Sequence, residues 1–203
     1  MTPVIHSISV KTLDEQHLSA IVDIHQSVLG YTLNSQLGKA HLASMYSYMA
    51  RSPGCCVLVA FDGETPIGLI SGAVDFDQVR LGLLREFTPQ KWATILLAMV
   101  KNPLLIGEWI KSSVVGKPVF FSKDIVNAIL TTIAIKIDWQ RRRIGKLLIG
   151  SLEEYFLSQR VKVYRLDTLV SNDEARSFYK KIGFQEVERR ADSVVLIKRI
   201  INQ

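Results

Sequence analysis

The residues best placed to do chemistry lie in one stretch, Ile135-Lys136-Ile137-Asp138-Trp139-Gln140-Arg141-Arg142-Arg143-Ile144-Gly145-Lys146-Leu147-Leu148. An apolar run ends there, a polar turn follows, and a helical pattern begins. The first N–H groups of a helix have no partner inside the helix. With the helix dipole they favour an anion beyond the helix end, and a diphosphate is the natural occupant. Arg141, Arg142 and Arg143 are unfavourable at that end of a dipole unless something anionic is near. Each could add a charge-assisted contact to it. On the residues alone, an anion-binding loop from Gln140 to Lys146 and a plain strand-to-helix turn with surface arginines stand level.

Other chemistries find no carrier. There is no Walker loop, no Gly-x-Gly-x-x-Gly after a strand and no Gly-x-Ser-x-Gly elbow. Of His6, His17, His25 and His41, only His17 shares a helix face with a carboxylate, Asp14, so no metal site is expected. The only cysteines are the neighbours Cys55 and Cys56, which suit reduced core thiols in a cytoplasmic protein. Met1 to Val10 lacks the basic start and apolar run of a secretory signal. The most apolar region, Trp92 to Ile110, is split by Lys101-Asn102-Pro103 and falls short of the about 20 apolar residues a spanning helix needs. A net charge of +6 and a pI of about 9.4 suit nucleic acid, an acidic membrane surface or a polyanionic small molecule. No nucleic-acid recognition motif is present, and neither nucleic acid nor a membrane is the expected partner.

The elements that must position the arginine loop can be read from periodicity. The 203 residues, 48% hydrophobic, fit a single globular domain over 1–203. Ile5 to Lys11 reads as a strand. A helix capped by Thr12 follows and stops near Gly30, and a second helix covers Ser35 to Arg51. Cys55 to Phe61 is a continuous apolar run, expected as a strand buried on both faces. Asp62-Gly63 marks a hairpin into a strand from Pro66 to Val74. Val126 to Ile137 reads as one long central strand, followed by a helix with Ile144, Leu147, Leu148, Leu152, Tyr155 and Phe156 on one stripe. Val161 to Leu169 is a strand, Asn172 to Lys181 a helix stopped by Gly183, and Phe184 to Glu188 and Val194 to Ile200 the last two strands. This order predicts an α/β fold with a mixed sheet.

At the arginine loop the chain resembles the GNAT superfamily of acyl-CoA N-acyltransferases. The signature of that family, Gln/Arg-x-x-Gly-x-Gly/Ala after a strand, is met by Gln140 and Gly145, while Arg143 stands at the first glycine. Arg143 must then take a helical backbone with its side chain swung away, or touch phosphate itself. A second block, Asn172, Ala175, Tyr179 and Gly183-Phe184, matches in order and spacing. The resemblance covers Ile125 to Ile200 firmly and the topology of the first 75 residues.

What the resemblance implies is a partly splayed sheet with an acyl-CoA thioester between two parallel strands. It implies transfer of an acetyl or other short acyl group from coenzyme A to an amine, by direct attack in a ternary complex. Backbone groups at Ala134 and Ile135 would meet the acyl carbonyl and pantetheine. Gln140 to Lys146 would hold the pyrophosphate, and Asn172 the pantetheine arm. Tyr179 would protonate the leaving thiolate. The family's strand glutamate is missing from Leu130-Thr131-Thr132; Asp75 is the first choice of base, with Asp77, a relayed water, or no residue at all if the amine arrives neutral, behind it. A non-catalytic acyl-CoA-binding module is the alternative.

Residues 76 to 123 do not match the family core. They read as two or three inserted helices rich in Leu81, Leu84, Trp92, Leu96, Met99, Leu105 and Trp109. They are expected to form a lid or wall over the acceptor side, with a homodimer interface, a core extension or attachment to a membrane surface as the other roles. The acceptor is a small-molecule or peptide amine.

Overall fold

A computed structural model describes residues 7–101, 103, 106–107, 119–121 and 124–200. Seven strands form one sheet, and their ranges are β1 Ile8–Thr12, β2 Cys55–Asp62, β3 Thr65–Ala73, β6 Ile129–Ile135, β7 Val163–Leu169, β8 Gln185–Arg189 and β9 Ser193–Arg199. Their spatial order is β1-β2-β3-β6-β7-β9-β8. Every neighbouring pair is antiparallel except β6 and β7, which are parallel. A separate two-stranded hairpin joins β4 Val119–Phe121 to β5 Asp124–Val126.

Helices cover both faces. On one lie α1 Leu18–Leu29, the short α2 Leu33–Gln36, α3 Lys39–Arg51 and the start of α4 Phe76–Arg85. Their core residues Ile21, Leu42, Tyr46 and Val79 pack on Val57, Val59, Leu69 and Ala134 of the sheet. On the other lie α6 Ile144–Ser158 and α7 Asp173–Lys181, whose Leu148, Leu152, Phe156 and Tyr179 pack on Ile67, Ile70, Tyr164 and Leu196. The apolar run of β2 is therefore buried on both faces because helices cover both, as periodicity demands. Helix α5, Pro89–Lys101, belongs to the segment between β3 and β6.

Four local readings change. The helix predicted over 35–51 is two helices, because Gly38 sits at φ +95 between them. Thr12 caps no helix, being the last residue of β1; Asp14 caps a 3-10 turn, Glu15–His17, its Oδ1 accepting from Gln16 N at 3.0 Å, and α1 follows that turn with no side-chain cap of its own. The long central strand is broken at Asn127-Ala128, between the β4–β5 hairpin and the sheet strand β6, and it ends at Ile135. The insertion is not wholly helical, since it closes with that hairpin. Leu105 and Trp109, expected in its apolar set, lie outside the described residues.

Candidate active site

The sheet parts at one place. β6 and β7 pair at a single register point, Ile129 with Arg165, with one more bond from Arg165 N to Ala128 O at 2.9 Å. Beyond that point neither strand is laddered to the other, so a wedge opens toward Ile135 and Leu169. On its other edge β6 stays paired to β3, through to Ile135 with Gly68. A bulge interrupts that pairing: Ser71 faces Thr132 and Gly72 faces Leu130, leaving Thr131 as the extra residue. Bulges re-aim side chains, and here Thr131 and Ser71 join by a 2.7 Å hydroxyl contact.

The arginine loop closes the wide end of the wedge. After a 3-10 turn, Ile137–Trp139, Gln140 folds back and its Nε2 donates to Ile135 O at 3.1 Å. Arg141 and Arg143 both have left-handed backbones, φ 61 and φ 65. The helical backbone allowed for Arg143 is therefore the left-handed one. The position keeps the conformation a glycine adopts without cost, at an expense of about 1–2 kcal/mol for a residue with Cβ. Arg143 is also the N-cap of α6, and no side chain caps that helix. The first helix N–H with a partner is Leu147, which donates to Arg143 O at 3.1 Å. The amides before it point out of the helix end, and a left-handed residue followed by a right-handed one makes a backbone nest for an anion.

Side chains around the loop divide in two. Arg141 reaches Glu174 at 3.3 Å across solvent, and the Arg142 guanidinium stacks 4.8 Å above the Trp139 ring. Arg143 and Lys146 have no ion-pair partner among the described residues. Gly145 has a packing reason to be small: a Cβ there would meet Phe178 of α7 at 3.1 Å and Ile135 at 3.5 Å. Ile144 is buried under the sheet. The loop, β6 and α7 are thereby locked together.

Asn172 caps α7, its Oδ1 accepting from Ala175 N at 3.1 Å. Tyr179 is buried among Phe178, Phe184 and Tyr164. Burial raises its pKa above the ordinary phenol value, and the Tyr31 hydroxyl, from the turn between α1 and α2, adds a smaller push. Tyr179 thus stays protonated. Asp75 caps α4, its Oδ1 accepting from Asp77 N at 3.1 Å and Gln78 N at 3.2 Å. It stands just past Ala73, which pairs with Ile129. Ile129 is six residues from Ile135, so Asp75 and the arginine loop lie at opposite ends of β6, about 20 Å apart. Ala134 is buried and Ile135 half-buried on β6.

Two polar groups on the α1–α3 side escape a sequence reading. His25 and Tyr46, both buried, share a 2.5 Å hydrogen bond between Nδ1 and Oη. Burial depresses the His25 pKa to about 4, so the ring is neutral. Burial raises the Tyr46 pKa, opposed by a hydrogen bond from Thr132 of β6. A polar thread thus runs from the central strand into α1, and helical spacing alone makes His25 and Tyr46 look like core fillers. The second group is Arg165 with Asp167 of β7, 3.1 Å apart and almost wholly buried, with Arg190 at 3.9 Å from Asp167. Burial raises the Asp167 pKa, against the two guanidinium groups that lower it. Their alternation in an otherwise apolar strand was the available signal.

Among the described residues no three His, Cys, Asp or Glu side chains gather as a metal group. Among them, too, no helix is long and apolar enough to cross a membrane.

A mixed sheet that parts between two parallel strands, with a basic helix N-terminus at the opening, defines an acyl-CoA-type acyltransferase fold. The sequence profile of the Acetyltransferase (GNAT) family matches residues 20–184, and the chain belongs to that family. No curated protein sequence matches it. Among solved structures it is similar to the PaiA N-acetyltransferase of Thermoplasma acidophilum in complex with coenzyme A, with 16% identity, a TM-score of 0.63, and coverage of 96% of this chain and 99% of that one. It is similar to the ribosomal-protein-S18-alanine N-acetyltransferase of Escherichia coli, with 15% identity, a TM-score of 0.61, and coverage of 97% and 96%. An aminoglycoside N-acetyltransferase, AAC(6')-Iy, in complex with CoA gives 12% identity, a TM-score of 0.62, and coverage of 94% and 95%. At these identities the likeness is one of fold.

Proposed function

We propose that this chain transfers an acetyl or other short acyl group from coenzyme A to an amine, by direct attack in a ternary complex. The observation that carries the proposal is the wedge between β6 and β7, paired only at Ile129 and Arg165 and opening onto the arginine loop. The pyrophosphate of the substrate is held by the amides at the start of α6 and by Arg141, Arg142 and Arg143. Gln140 fixes the loop to β6, and Gly145 lets α6 approach α7. Asn172 meets the pantetheine arm. The amine nitrogen forms its bond to the thioester carbon, and backbone N–H near Ala134 and Ile135 stabilises the oxygen anion. The C–S bond breaks, and Tyr179 gives the thiolate its proton. The amine proton passes to water, since Asp75, capping α4 at the far end of β6, is out of reach of a carbonyl held at Ala134 and Ile135. α4 leaves β3 beside Asn127, at the end where β6 and β7 are still paired, and the inserted segment it begins forms the wall of the acceptor side.

A non-catalytic acyl-CoA-binding module is the second reading. It is favoured by the absence of a carboxylate at Leu130-Thr131-Thr132 and by the capping role of Asp75. Two free cysteines, half-buried Cys55 and buried Cys56, their pKa values pushed up by burial to about 11 and about 12, suit a reducing, cytoplasmic setting.

The test is calorimetry with acetyl-CoA, followed by thiol release with an amine panel that includes an aminoglycoside and an alanine-terminated peptide. Binding plus amine-dependent release is the expected result. Binding without release from any amine selects the module. No binding removes both readings.

A further inference from the structure

The polar thread from β6 into α1 has one direction, set at its outer end. Ser35 spends its hydroxyl proton on the Leu29 carbonyl at 2.7 Å. Thr32 spends its own on the same carbonyl at 2.8 Å or on the Ser35 oxygen at 3.2 Å. Toward His25 Nε2, 3.5 Å away, Thr32 therefore offers only a lone pair. The neutral His25 ring holds one proton, and Nε2 carries it. Nδ1 is left bare and accepts the hydroxyl proton of Tyr46 at 2.5 Å. With that proton spent, the Tyr46 oxygen accepts from Thr132. Every proton of the thread is committed toward Thr32. Thr132 keeps a lone pair, and no proton, for anything else that meets it.

Thr132 stands where this matters. It lies past Ile129, where β6 has left β7. Beyond the bulge at Thr131, Thr132 and Ala134 share one face of β6, two residues or about 7 Å apart. Ala134 packs in the same core group as Tyr46, and Thr132 meets Tyr46 itself. A phenylalanine at 46 and an aliphatic residue at 25 would fill this core with no polar group to satisfy. Instead Tyr46 is wholly buried, His25 is 2% exposed and Thr132 is 8% exposed.

We propose that His25 and Tyr46 are positioning residues: they fix the Thr132 hydroxyl as an acceptor, which takes a hydrogen bond from the water that receives the amine proton and so turns a lone pair of that water to the amine. This rests on the transfer reaction proposed above. The amine N–H bond breaks, its proton joins that water, and the water gives a proton to solvent. The thread itself moves no proton and gains no charge.

Two measurements test this, one of them independent of turnover. Nitrogen-15 NMR of the histidine rings, with His25 assigned by the ring lost in His25→Gln, shows His25 protonated at Nε2 and bare at Nδ1 at neutral pH. A proton on Nδ1 reverses the thread and overturns the proposal. Thiol release with an accepted amine then gives kcat. Thr132→Val keeps the shape, removes the oxygen and lowers kcat by about tenfold, the worth of one hydrogen bond. Tyr46→Phe frees the Thr132 proton to point at the water and lowers kcat by about threefold or more. The double variant loses no more than Thr132→Val alone, because both act through one group. Thr132→Ser restores the hydroxyl and stays within about threefold of wild type, and acetyl-CoA affinity is kept throughout. Wild-type kcat in a folded Thr132→Val overturns the proposal, as does an equal loss in Thr132→Ser. If Tyr46→Phe does not fold, the two Thr132 variants and the ring tautomer decide. A wild-type chain that binds acetyl-CoA but releases thiol with no amine removes the transfer reading, and this role with it.

Discussion

Gln140 Nε2 donates to the Ile135 carbonyl at 3.1 Å, so the first side chain of the arginine loop is tied to the last residue of the strand it follows. The bond fixes where the loop leaves the sheet. The arginines beyond it extend into solvent, two of them on left-handed backbones.

Reversing charge at that loop tests what it holds. Arg141→Glu and Arg142→Glu each weaken coenzyme A binding by about 1–3 kcal/mol, the value of one charge-assisted phosphate contact. Loss of the exposed Arg141–Glu174 pair itself costs little, so the melting temperature stays put. Unchanged affinity in both variants, measured by calorimetry, removes the loop from the binding site.

Arg143→Gly separates backbone from side chain. Glycine relieves the left-handed strain, and the fold gains up to about 1 kcal/mol in denaturant unfolding. If the nest of amides does the holding, coenzyme A affinity is kept within about threefold. A drop beyond tenfold assigns the contact to the guanidinium.

For Tyr179 the measurement is turnover. Tyr179→Phe keeps the ring among Phe178 and Phe184 and removes only the hydroxyl. A loss of about 100-fold or more in kcat, with acetyl-CoA binding intact, is expected of a lost general acid. Wild-type rates in a folded variant assign the residue to the core alone.

The buried imidazole makes the fold sensitive to acid. The folded-state pKa of His25, about 4, lies below its ordinary 6.5. Its contribution is therefore complete above pH 6.5 and is lost as pH falls toward 4, by about 3 kcal/mol at most. Urea unfolding across that window shows the loss in the wild type, and His25→Gln flattens this part of the curve. Identical pH dependence in both clears His25 of the effect.

Asp167→Ala leaves Arg165 in the core without its nearest carboxylate and destabilises by about 3–5 kcal/mol. Arg165→Met/Asp167→Leu recovers most of that. If the double variant is as unstable as the single one, the pair is held by more than its mutual charge.

The sequence by itself determined the order of the elements, the strand–arginine loop–helix join and the Asn172–Phe184 block. These are local properties. Periodicity of apolar residues sets strand and helix, Asn172 can cap only the helix beginning beside it, and Gly183 at φ +97 can stop only the helix before it. The departures were local too, but came from competition: Gly38 outweighed a continuous helical stripe, and Asn127 outweighed a continuous apolar strand. Only the tertiary structure decided that β6 and β7 part after Ile129, because parting depends on which strands are neighbours and on the bulge at Thr131. It alone joined Thr132, Tyr46 and His25 across three elements, and buried Arg165 against Asp167. It alone turned Leu96, Leu97 and Val100 outward, since an apolar helix in sequence says that something covers it, not whether the rest of the chain does.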